Sequence, residues 1–259
     1  MAIVALVSSG CALDHNAAGD PFRPVKPGTL TVATAFLPAP GFWEGSPPTR
    51  GFEAGLAAAL ADQLGLHRVV VKQVPFSEMV TGHLHGADIA LSQLTPTSQR
   101  EQVLDFSDPY LRTPPAVLAR AAVSGSEPDI KSIRGLRWVT ARYSTLTPIV
   151  ASQVFPTRPP IVVDDRSEAL GALRAGRAQA VLLDLPVALA LARDNPLEYQ
   201  VLGQLPGNEY LAAALPQGSP NVQIVDSAIN ALQSDGTIGQ LADRWLGQSS
   251  DVPLIRTEA

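Results

Sequence analysis

Only one cysteine, Cys11, occurs in 259 residues, so neither an internal disulfide nor a cysteine-built zinc cluster can hold the fold together. The chain also lacks any run of lysine and arginine, and with 24 acidic against 19 basic side chains its net charge is -5. A binder of phosphate backbones needs a basic face, so nucleic acid is not the expected partner. Long hydrophobic runs are missing as well: the longest, Ala180 to Ala192, is interrupted by Asp184 and Pro186 and is too short to cross about 30 Å of hydrocarbon as a helix. No internal repeat is visible. What is present is 46% hydrophobic residues, enough for one large core or two medium ones in a chain of this length.

The first residues have their own pattern. Ala2 to Val7 are apolar, Ser8, Ser9 and Gly10 are small, and Cys11 follows; the arrangement resembles a bacterial lipoprotein signal with its lipidated cysteine. A lipid-modified Cys11 would hold a soluble domain at a membrane surface; the plainer alternative is a free thiol in an irregular terminus. Residues 12–28 are polar, with glycines and prolines, and read as a tether.

From Thr29 on, β-rich runs alternate with helical ones. Strands are expected at 30–36, 69–74 and 88–94, with helices at 52–64 and 76–83. Ser98 with Glu101 forms a capping box that would open a short helix. A second set follows: strands at 137–141, 161–165 and 180–184, a helix from about Leu146, and another at 167–175. The run 210–215 and helices at 221–234 and 238–246 complete the chain. The order β-α-β-α-β occurs twice, which indicates two α/β lobes rather than one barrel.

Ligands of open α/β sheets bind beyond the carboxyl ends of strands, and two such ends carry unexpected side chains. After the strand at 88–94, Gln93, Thr95 and Thr97 lead to Arg100 in a first helical turn, where a cation opposes the helix dipole. Arg100, the turn amides and the Thr95 hydroxyl suit a carboxylate; a surface arginine paired with Glu101 or Asp105 is the alternative. Asp184 ends the apolar strand AVLL and is either a helix N-cap or a holder of a cation, or both. Together Arg100 and Asp184 are complementary to a zwitterion.

The segments GFEAGLAAALADQLG (51–65), DIALSQLTPTSQREQVLDFSDPYL (88–111), EALGALRAGRAQAVLLDLPVALALA (168–192) and LPQGSPNVQIVDSAINALQSDGTIGQLADRWLG (215–247) resemble the successive signatures of family-3 solute-binding proteins, the polar-amino-acid receptors of ABC importers. The resemblance implies a type 2 periplasmic-binding-protein fold, with two α/β lobes joined by a two-strand hinge around a ligand cleft. Lobe 1 would be 29–110 plus 212–247 and lobe 2 would be 115–207, with crossovers near 111–114 and 208–211 and a tail at 248–259. By the same correspondence Arg100 binds the ligand α-carboxylate and Asp184 its ammonium. Thr95, Gln93, Ser144 and Thr145 add polar contacts. Phe52 lines the side-chain pocket, and one of Phe36, Phe42 or Trp43 stacks on the ligand. The implied protein is a monomeric, extracytoplasmic receptor without metal or cofactor. Its partners would be a small amino-acid-like molecule and the membrane subunits of an importer.

Some positions depart from the family pattern. Gly55 and Gln179 replace aspartates, Tyr143 stands where a glycine is usual, and the acid that some relatives direct at cationic or amide ligands falls on Ala35. Its loss argues against arginine, lysine or histidine as ligand. Cyclohexadienyl dehydratases resemble the same fold, so an enzyme is the rival reading, and a ligand sensor that feeds no transporter is a third. His83 and His85 read as a solvated turn rather than a metal site.

Overall fold

A computed structural model describes residues 21–37, 39–123, 129–247 and 252–255; Cys11 and most of the expected tether lie outside them. The chain builds one sheet, crosses to build a second, and returns. The outward half comprises β1 (Thr29–Thr34), α1 (Phe52–Gln63), β2 (Arg68–Gln73), α2 (Phe76–Met79), β3 (Ile89–Ala90), a single 3-10 turn (Arg100–Gln102) and β4 (Leu104–Thr113). The second sheet follows with β5 (Pro115–Arg120), α3 (Ile130–Arg134), β6 (Trp138–Ala141), α4 (Leu146–Ile149), a π-helical turn (Val150–Val154), β7 (Ile161–Val163), α5 (Arg166–Arg174), β8 (Ala180–Asp184), α6 (Leu185–Asp194) and β9 (Tyr199–Gln204). On return the chain adds β10 (Glu209–Pro216), α7 (Val222–Ser234) and α8 (Thr237–Trp245).

The strand orders are β2-β1-β3-β10-β4 and β7-β6-β8-β5-β9. In each, four strands run in one direction and one, β10 in the first sheet and β5 in the second, runs against them. Every residue of β1 is buried, as a strand covered by helices on both faces requires. Helix α7 is buried along Val225, Ala228, Ile229 and Leu232, the three-and-four spacing of an amphipathic helix. Helix α1 approaches α8 so closely that a Cβ at Gly55 would lie 2.5 Å from Leu241 Cδ2, which accounts for a glycine where the family pattern has aspartate. Gln179 is likewise structural: its Oε1 accepts from Arg137 N at 3.0 Å.

The two crossing strands pair with each other, Glu209 opposite Thr113 and Leu211 opposite Leu111, so both connections leave lobe 1 side by side. Residues 104–113, unassigned in the sequence reading, form an edge strand, the place where Pro109 is tolerated because one side of the strand needs no ladder donor. The expected strand at 88–94 is cut to two residues and the expected helix at 76–83 to one turn. The capping box at Ser98 does not form. Instead Thr97 Oγ1 accepts from Arg100 N at 3.2 Å, and the element is three residues long.

Residues 21–28 and 252–255, the described parts of the expected tether and tail, pack on the two lobes. Phe22 is buried in lobe 1, Arg23 N donates to Asn221 Oδ1 at 2.9 Å, and Val25 N donates to Asp88 Oδ1 at 2.6 Å. After α8 the chain reaches lobe 2, where Leu254 bridges Gln204 of β9 and Ile255, 1% exposed, enters the lobe 2 core. Gly203 leaves room for this: a Cβ there would sit 2.6 Å from Ile255 Cγ1 and 2.8 Å from Pro253 O. Gly203→Ala is expected to cost about 1–3 kcal/mol and to expose the C-terminal residues to protease. A melt within error of the parent's and an unchanged digestion pattern would show the fit to be loose.

Candidate functional site

The carboxyl ends of the parallel strands in both sheets face one cleft, with about 780 Å³ of empty space, its open mouth included. From lobe 1 come Phe36 after β1, Phe76 at the start of α2, and Gln93, Thr95 and Arg100 after β3. From lobe 2 come Tyr143, Ser144 and Thr145 after β6, Arg166 after β7 and Asp184 at the end of β8. Most side chains expected from the sequence are therefore brought together.

Arg100 is 6% exposed and spans the cleft: Nη1 donates to Thr95 O at 2.7 Å and Nη2 to Tyr143 O at 2.9 Å. Its guanidinium lies 5.5 Å from the Phe76 ring centroid. Burial pulls its pKa down to about 10, against the opposing pull of Glu209 and Asp184, so it stays cationic at neutral pH. The reasoning that singled it out does not apply as stated, because a 3-10 turn of three residues has too few aligned peptides for a sizeable dipole.

Asp184 occupies the N-cap position of α6, yet its side chain makes no capping bond. Oδ1 is closed off from solvent with no hydrogen-bond partner. Burial raises its pKa to about 7, Glu209 pushes the same way, and Arg166 opposes both. Among the described residues no ion pair joins Asp184 to either arginine. A buried acceptor left unsatisfied in this way costs free energy that a ligand donor recovers.

Three further charged groups, Arg166 lining the cleft and Glu209 and Glu53 behind its lining, were not found from sequence. Arg166 lies 3.9 Å from the Phe36 ring centroid and donates from Nη1 to Gln93 Oε1 at 3.0 Å, both on the opposite lobe. It opens a nine-residue helix, so the dipole criterion applied to Arg100 would have found it. Glu209 accepts from Thr145 Oγ1 at 2.6 Å; its place in an irregular stretch gave no signal. Glu53, fully buried, accepts from Trp43 Nε1, Gln93 N, Gln93 Nε2 and Tyr110 OH at 2.6–2.8 Å. Burial raises its pKa although all these donors favour the carboxylate. This cluster holds Gln93, which adopts a left-handed backbone with φ 50°.

The remaining expectations divide. Ser144 Oγ accepts from Leu146 N at 3.2 Å and lines the cleft. Of the three candidate stacking aromatics only Phe36 lines it; Phe42 and Trp43 are 0% and 1% exposed in the lobe 1 core. Phe52 is also core, edge-on to Phe42 and tilted against Tyr110, and does not reach the cleft. Its ring is taken up by these core contacts, so the cleft aromatics are Phe36 and Phe76 instead. His85 faces Glu78 on the surface at 2.5 Å. No described helix is long and apolar enough to cross a membrane.

Comparison with known proteins agrees with this arrangement. A probable amino-acid ABC transporter-binding protein of Haemophilus influenzae is 24% identical over 231 residues, covering 87% of each chain. The L-cystine-binding protein TcyJ of Escherichia coli is 26% identical over 223 residues, 85% of this chain and 83% of that one. Among solved structures, an ancestral arginine-binding protein bound to glutamine superposes with a TM-score of 0.73 at 27% identity, over 86% of this chain and all (100%) of the other. A Streptococcus pneumoniae amino acid ABC transporter substrate-binding protein bound to L-arginine gives 0.70 at 25%, over 85% and 94%. The family profile described as bacterial extracellular solute-binding proteins, family 3, matches residues 31–248, and with its two-lobed fold and interlobe cleft the chain belongs to that family.

Proposed function

We propose that the protein is an extracytoplasmic receptor that closes around an amino acid or similar zwitterion and presents it to the membrane subunits of an ABC importer. The observation that carries this reading is the pairing, in one cleft, of a buried Arg100 with N–H groups to spare and a buried Asp184 oxygen without a donor. The guanidinium takes the α-carboxylate and Asp184 takes the ammonium. Ser144, Thr145 and Thr95 line the same space. In an open cleft both charges are hydrated. Closure strips that water, and a zwitterion compensates both at once, so the ligand favours the closed state through contacts made only there. The relatives named for binding amino acids, cystine among them, support the substrate class. A thermal-shift screen over the twenty amino acids and cystine tests it: one or more should raise the melting temperature, and a screen in which none does would refute the reading.

A second reading is favoured by one feature. A carboxyl held near pH 7 beside a second carboxylate, Glu209, suits a general acid, and a solved neighbour is an ancestral amino-acid-binding protein described as a precursor of cyclohexadienyl dehydratase. Phenylpyruvate formation from prephenate would establish it; none is expected. Attachment to the membrane through Cys11 belongs to the same proposal, and mass spectrometry of the protein extracted from membranes reads it directly.

A further inference from the structure

The cleft is divided in two. The inner cavity, described above, holds Arg100, Asp184 and Thr95, and an outer one is bordered by apolar groups such as Leu37, Pro40, Leu170 and Leu191. Phe36, Phe76 and Arg166 border both, so they form the wall between them. The Phe36 ring is covered on one side by the Arg166 guanidinium at 3.9 Å and stacks on Phe76 at 5.6 Å. Arg166 is fixed there by Gln93, which is fixed in turn by Glu53.

Position decides what meets this wall. Arg100 and Asp184, which take the head of the zwitterion, line the inner cavity and not the outer one. A side chain directed outward from that head passes the wall into the outer cavity. Charge then decides what passes. Two acids share the wall, but Asp164 is turned outward to Arg142 at 3.3 Å and the Asp165 carboxylate accepts from Glu168 N at 2.9 Å. The guanidinium, with one N–H given to Gln93, is the charged group that a passing side chain meets.

Resting on the zwitterion reading above, we propose that Arg166 is the specificity-determining residue of the cleft. It admits amino acids whose side chains carry a hydrogen-bond acceptor and no positive charge, and it rejects cationic ones. Acceptor atoms meet a planar donor fork; an ammonium or guanidinium meets a like charge in a partly desolvated neck.

Calorimetric titration of the full chain and of Arg166→Met with glutamine, glutamate, cystine, arginine and lysine tests this. Methionine keeps much of the stem and removes charge and donors. The parent is expected to bind at least one of the first three tenfold or more tighter than arginine or lysine, and the variant to lose that preference. Arg166→Lys, which keeps the charge but not the fork, should still reject the cationic pair, and it serves if the methionine variant does not fold. Arginine or lysine bound by the parent as tightly as the others, or a preference untouched in the folded variant, would overturn the role of Arg166 while leaving the zwitterion reading intact. A parent that binds no amino acid at all refutes both.

Discussion

Arg100→Ala is expected to weaken ligand binding by two decades or more while leaving the protein folded. The guanidinium meets no described acid in an ion pair; its partners are two carbonyls, of Thr95 and Tyr143, and these can turn to water when the side chain is gone. The ligand cannot adjust in this way. Its carboxylate enters the cleft, loses its hydration and finds no counter-charge, a penalty of roughly 3–5 kcal/mol or about two to three and a half decades of affinity. Titration calorimetry with a ligand found by thermal shift measures this, and an affinity within tenfold of the parent's would remove Arg100 from the site. Because the Tyr143 carbonyl belongs to the other lobe, the same substitution is also expected to weaken closure without ligand, visible as a larger radius of gyration in solution scattering.

Asp184→Asn is expected to have two effects of opposite sign. Binding falls by two or more decades, because the ammonium loses its carboxylate partner. The ligand-free protein becomes more stable, because a carboxyl held at about pH 7 by burial is unfavourable to ionise in the folded state. The unfolded chain releases this proton near pH 3.9 and the folded one near 7. The stability contributed by protonated Asp184 is therefore complete below the lower value and is lost as the pH rises through the upper one. Asparagine should thus stabilise by about 1–2 kcal/mol at pH 8, discounted for the partial exposure of the residue, and by almost nothing at pH 4. In the parent, affinity should be level above pH 7 and fall up to tenfold per unit below it, since the ligand ammonium needs the ionised form. A pH-independent affinity between 5 and 8 would show that Asp184 does not hold the ammonium.

Much of this was legible in the sequence, for reasons that also explain what was not. Strands such as Ala180–Asp184 and helices such as α7 were readable because their apolar spacing reports burial directly. Asp184 was readable because it sits at a strand end where a charge is out of place, whereas Arg100 was readable from the family resemblance, its three-residue 3-10 turn giving the dipole argument little force. Residues 104–113 were not, because an edge strand with aspartates and a proline carries no alternation. Phe52 was misassigned because its correspondence to a pocket aromatic says nothing about which way a first-turn side chain points. Arg166 was overlooked although a stated criterion covered it. Its partners Phe36 and Gln93 lie 130 and 73 positions earlier, and no local pattern links residues so far apart.

The path of the last residues bears on how far such a molecule can gape. Helix α8 packs on α1, whereas Leu254 and Ile255 are anchored on β9, so the described residues before and after 248–251 belong to different lobes. Four residues separate Gly247 from Val252, which limits their separation to about 18 Å. A jaw hinged on one side and leashed on another swings through a restricted arc, and cutting the leash, by ending the chain at Gly247, should widen the arc and lower the occupancy of the shut form at any given ligand concentration.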